Sequence, residues 1–212
     1  TIGPALDLEG EDGSVLAVSG DFALDAFGFV VLAGTFGMAK QTDVALDDGN
    51  LSFDADVLSL ALAASGFVGS GASLSQDPDA STVTVVTTDA IGFSVPSATL
   101  DLVLVKDRAS TNKYTGLQVS LTNAGLVGIS ELGLTVSGTV QVNKGPAGGA
   151  RLDWSQVTGA GNELPTVTLA MDQSVELAIT NGSIALDAFG RGQVTAHPRN
   201  YFDYSLGVRC CQ

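Results

Sequence analysis

The sequence predicts an all-β, antiparallel chain: an elongated module of long strands bent at glycines, with a roll-like or solenoid-like body. A two-sheet β-sandwich is the alternative. Three observations carry this. Apolar residues recur with period two over long stretches, as along residues 132–142. Clusters of Asp, Asn, Gly and Pro separate those stretches, and no dozen-residue segment keeps a 3.6-residue period. Finally, the two ends of the chain repeat each other: Ala23-Leu24-Asp25-Ala26-Phe27-Gly28 recurs as Ala185-Leu186-Asp187-Ala188-Phe189-Gly190.

Taken in order, Leu16, Val18, Gly20, Phe22 and Leu24 form the inward face of a first strand, and Val30, Leu32, Gly34, Phe36 and Met38 that of a second. Further strands are expected over 57–63, 82–88, 92–95 and 98–105, then over 117–122, 132–142, 167–171 and 202–208. In the 132–142 strand, Leu132, Leu134, Val136, Gly138, Val140 and Val142 share one face and polar or small residues the other. A glycine at the centre of an apolar face weakens a strand unless the strand bends there or another element packs close. The turn signals are 47–50, 76–79, 111–113 and 144–149.

The repeat extends beyond the shared phrase. Pro4, Leu8, Leu16, Ala17 and Val18 align with Pro165, Leu169, Leu177, Ala178 and Ile179, and one inserted residue near Asn181 then shifts the frame by one. Residues 1–195 therefore read as one β-rich module with partial repeats at 4–28 and 165–190, and 196–212 as a divergent tail or cap strand. Modules that repeat end to end belong to long arrays, which points to a structural or adhesive role.

Composition narrows the classes. The 212 residues hold 23 Asp and Glu against 9 Lys and Arg, a net charge of −14, which repels nucleic acid and anionic lipid. No stretch reaches the length of an apolar helical span, so no membrane insertion is expected. The start lacks a basic segment followed by an apolar run, so Thr1 is expected to be a mature N-terminus or an artificial boundary. The only cysteines, Cys210 and Cys211, are neighbours, too strained to staple each other and suited at most to bonds between chains. Acidity, small-residue richness and the repeat favour a secreted or cell-surface setting.

The phrases over 102–119 and 124–143, followed by Arg151-Leu152-Asp153-Trp154-Ser155 and Ala185–Gly190, resemble the long repeats of giant secreted repetitive bacterial proteins of the LEPR-XLL and adhesin-like kind. The resemblance implies an extracellular, non-catalytic repeat. The tail after residue 195 departs from it.

Among candidate sites, the acidic loop Asp7, Glu9, Glu11 and Asp12, interrupted by glycine, is the best calcium candidate, since calcium takes several hard oxygens. Asp47, Asp48 and Asn50, Asp54 and Asp56, and Asp77 and Asp79 are weaker versions, and each equally suits an ordinary turn. The lone His197, even with Ser205, lacks the remaining members of a triad, and one histidine with a terminal cysteine pair does not make a zinc site. The Gly-rich 66–71 run lacks the Lys and the helix of a phosphate loop. Trp154, Tyr114, Tyr201 and Tyr204 are the rings available for stacking on sugars. The reading is a non-catalytic structural repeat whose partners are neighbouring copies or repeats. A filament subunit joined by strand addition, and a module binding surface glycans, are the alternatives.

Overall fold

The computed structural model describes residues 15–76, 82–159, 169–188 and 193–196. It is all-β, as expected. One antiparallel sheet runs β1 (Val15–Ala26), β2 (Val30–Asp47), β3 (Ser52–Ser70), β6 (Ile91–Asp107), β7 (Lys113–Val127), β8 (Leu132–Lys144), β10 (Leu177–Ala188) and β11 (Gln193–Ala196). The two-residue β9 (Thr158–Gly159) pairs with the end of β2. A separate hairpin, β4 (Ser73–Gln76) and β5 (Val83–Val86), is inserted between β3 and β6. The sheet is an open meander and does not close into a barrel.

Alternation sorts the strands into two unlike faces. On the first, Val18, Met38, Leu60, Leu102, Leu117, Val142 and Leu177 lie in one row across the sheet. This face is apolar in nearly every row and is the one expected to point inward in β1 and β2, yet Leu16, Val18, Leu24, Val140, Leu177 and Ile179 are exposed. The buried Val31, Ala33 and Ala39 of β2 lie on the opposite face, where the covering segments pack. No buried cluster forms on it among the described residues. The second face carries both cores. At one end Val44, Leu46, Ala55, Val57, Val103, Val105 and Tyr114 are covered by Leu152, Trp154, Leu169 and Met171. At the other, Val31 and Phe67 pack with Ala72 and Ala90 under the β4–β5 hairpin.

The long strands keep their frame by bulging. Two residues oppose one where Pro96 and Ser97 face Ser65, which frees proline, with no N–H, from the ladder. Asp43, Asn123 and Asn181, at φ 66°, 52° and 52°, occupy the other three irregularities. Asn and Asp accept this left-handed conformation better than other non-glycine residues.

The structure refines the expected layering. A single long antiparallel sheet carries a short second layer at each end, consistent with the expected β-rich module or with a sandwich. Segments 92–95 and 98–105 are one strand, since the Pro96 bulge bends β6 without ending it. Leu169 and Met171, expected in a strand over 167–171, belong to an irregular covering segment, with 167 and 168 outside the described residues. Of 82–88 only Val83–Val86 is strand. The strand expected over 202–208 lies outside the described residues, as does all of the 196–212 tail except Ala196, which ends β11.

Candidate functional site

The feature with the strongest claim to function is the repeated phrase and the strands it touches. In the first copy, Ala23–Ala26 end β1, and Phe27 and Gly28 turn the chain with φ 58° and 70°. Positive φ at both central residues matches the twist of a hairpin. Phe29 N–H donates to the Ala26 carbonyl at 3.1 Å, and Gly28 N–H to Asp25 Oδ1 at 2.7 Å. The Asp and Gly of the phrase are thus the residues the turn requires, and its ring, Phe27, is 96% exposed at the tip.

In the second copy, Ala185–Ala188 end β10. Asp25 faces Val31 and Asp187 faces Gln193; Leu24 faces Leu32 and Leu186 faces Val194. The two phrases enter hairpins of the same register at two places in one sheet. The frame shift seen in the sequence has a structural cause: Asn181 and Gly182 together oppose Gly138, so the inserted residue is the β10 bulge.

The two copies differ in their neighbours. β10 lies between β8 and β11, whereas β1 pairs only with β2 among the described residues. β8 itself stays straight while both its neighbours bulge beside it, with the Asn123 N–H on Ser137 Oγ at 2.8 Å.

The segment joining β8 to β10 is fastened to the second face. Trp154 and Leu169 lie on Gly116, where a Cβ would come within 2.4 Å of Leu169 and 2.7 Å of the indole. Trp154 Nε1 donates to Asn143 Oδ1 at 2.8 Å, and Asn143 Nδ2 donates to the carbonyls of Leu152 at 2.8 Å and Asp172 at 3.0 Å. Asn143 is fully buried and spends its amide on this cover.

The acidic turn at 47–50 belongs to the same fastening. Asp48 is 1% exposed; its carboxylate accepts from Asn50 N–H at 2.9 Å, Leu51 N–H at 2.6 Å and Asp153 N–H at 2.8 Å. Burial opposes its ionisation, but the backbone N–H donors, Asp153 foremost, outweigh it and hold the carboxyl below its ordinary value. The Ser174 hydroxyl and N–H do the same for Asp172. The turn at 47–50, which the sequence left equally suited to an ordinary turn, anchors the cover through Asp48. Asp56 lies 3.8 Å from Arg108, which also pairs with Asp43. Asp54 gives its carbonyl to Arg108 N–H.

Asp7, Glu9, Glu11 and Asp12 lie outside the described residues, as do Asp77, Asp79, His197, Ser205, Cys210 and Cys211. Among the described residues no three His, Cys, Asp or Glu side chains converge as a metal group. Of the rings, Trp154 is 7% and Tyr114 5% exposed, Tyr114 being stacked on Phe53 at 5.3 Å, and Tyr201 and Tyr204 lie outside the described residues. Gly69, in the glycine-rich run, faces Gly92, and a Cβ on either would meet the Phe67 ring. Those glycines serve close packing.

Between the two covers lies an open cleft of about 540 Å³. Gly37, Ala61 and Ala63 floor it, and Asp21, Thr35, Thr99 and Asp101 stand around it. Burial raises the Asp101 carboxyl above its ordinary value.

Sequence reasoning missed Asn143, Gly116 and Leu152, because their partners lie in distant parts of the chain. The bulge at Asn181 did leave a signal, the shift between the two repeats. No family model matches the chain, and comparisons with curated proteins and with solved structures return no match.

Proposed function

We propose that this chain is a non-catalytic structural repeat of a longer extracellular bacterial surface assembly, adhesin-like in kind. The observation that carries the reading is the equal hairpin register of the two Ala-Leu-Asp-Ala-Phe-Gly phrases within one continuous sheet. A second unit that starts by pairing with the last long strand of the first is what a linear array of such modules requires. The acidic balance favours a solvated, self-repelling surface of the sort an exposed stalk needs. The buried Trp154 and Tyr114 count against a glycan-stacking platform.

The test is a tandem protein in which residue 188 of one copy is followed by residue 27 of the next. Electron microscopy and calorimetry should find one rigid rod that unfolds in a single transition. Two beads on a slack tether, melting independently, would sink the module reading.

A further inference from the structure

The register of β8 against β10 specifies a strand that β1 lacks among the described residues. β10 pairs with β8 from Leu177 opposite Val142 to Ala188 opposite Leu132, and must bulge at Asn181 to do so. β1 carries the same residues without the insertion. Laid in place of β10, β1 sets Leu16 against Val142, Val18 against Val140, Gly20 against Gly138, Phe22 against Val136, Leu24 against Leu134 and Ala26 against Leu132, in one unbroken register. Apolar residues meet apolar residues on the first face throughout, and a slip of one residue would turn each of them over. The glycines match as well. A Cβ on Gly138 would lie 3.2 Å from Gly182 Cα, and the residue in the Gly182 position of β1 is Gly20.

We propose that the outer edge of β1 is the acceptor for the β8 strand of a preceding repeat, in the straight register just given. This rests on the module reading above and adds the junction to it. The edge suits the purpose. Residues 15–26 contain no proline and no lysine, the usual guards of a free edge, and the sole charges are Asp21 and Asp25. Backbone pairing supplies the affinity and the alternate apolar side chains supply the register.

The experiment uses the full chain and a synthetic peptide of residues 132–144 as the stand-in for the preceding strand. Hydrogen exchange is followed with and without peptide. Alternate amides within 15–26 should slow by at least about tenfold at saturation. A Gly138→Val peptide, crowded against Gly20, should bind about tenfold more weakly, and a Thr135→Val peptide should bind as the parent does. Four results overturn the junction: the β1 amides that point away from β2 already protected in the free chain, unchanged exchange, protection of 193–196 in place of β1, or equal binding of the Gly138→Val peptide. If the tandem protein is a single rod and the peptide fails, the junction falls and the module stands. If the tandem forms loose beads, the module itself falls whatever the peptide does.

Discussion

The two covers on the second face solve the same problem by different means. At the Trp154 end, an irregular segment is held by side chains that reach across the fold: Asn143 to Trp154, Leu152 and Asp172, and Asp48 to Asp153. At the Phe67 end, a local hairpin lays Leu74 and Val85 over a small cluster, and none of the described side-chain hydrogen bonds ties it to the sheet beneath. Apolar area alone is non-directional, whereas a buried amide with three partners fixes one geometry. The difference teaches where position matters. The fastened cover leads directly into β10, the start of the repeated unit, and so sets where that strand begins. The hairpin cover leads back into β6 of the same unit.

Four changes break or sharpen this contrast. The largest effect is expected from Trp154→Ala, which empties the main core and strands Asn143 Oδ1. It should cost about 3–5 kcal/mol by urea denaturation. Exchange should quicken in residues 152–154 and 177–180, with β4–β5 untouched. Equal loosening at both ends would erase the contrast.

Asp48→Ala should cost about 3 kcal/mol, since it leaves three backbone N–H groups without their charged acceptor. The sign of its pH dependence follows from the lowered carboxyl. Its stabilisation is complete above the ordinary carboxylate value of about 4 and is lost as pH falls through the folded-state value. The parent chain should therefore lose stability below about pH 4 more steeply than the variant. Parallel pH profiles would reject the anchoring role.

Replacing residues 73–86 with a short Gly-Ser turn should cost about 1–2 kcal/mol, the burial lost from Leu74 and Val85. It should leave exchange at 152–154 unchanged. A collapse of the whole fold would show the hairpin to be as important as the fastened cover.

The smallest effect belongs to the gap between the covers. Asp101 has a raised carboxyl, so its ionised form burdens the folded state at neutral pH, and the burden lifts as pH falls through the folded-state value. Asp101→Asn should raise the melting temperature by about 1–2 °C at pH 7 and leave it unchanged in acid. A lower melting temperature at pH 7 would place Asp101 among the anchors instead.

Much of the sheet was legible because strand alternation is local: which residues of β1, β2 and β8 share a face can be read letter by letter. Which face is covered cannot: Leu16, Val18 and Leu24, expected inward, are exposed because the covers pack on the opposite face. The repeat frame was legible too, down to the extra residue that became the Asn181 bulge. Pro96 misled, because its missing N–H reads as a strand end until a bulge is found to accommodate it. The covers were not legible. Asp48 looks like any turn aspartate, and the N–H that distinguishes it comes from Asp153, 105 residues away. Trp154 gave no sign of its seat on Gly116, which depends on how two distant strands are juxtaposed.

The meander has a consequence for long assemblies. From β1 to β10, the strands that carry the two phrases, the main sheet takes six strand-to-strand steps, through β2, β3, β6, β7 and β8, and six is even. In the proposed array each successive unit would thus restart in the direction of the last, and its Phe27 tip would emerge on the same rim. With a strand-to-strand twist of roughly 20–25°, neighbouring tips would be rotated by roughly 120–150°. Such a chain would carry its aromatic knobs along one border as a spiral, spaced by counting strands and independent of any ligand.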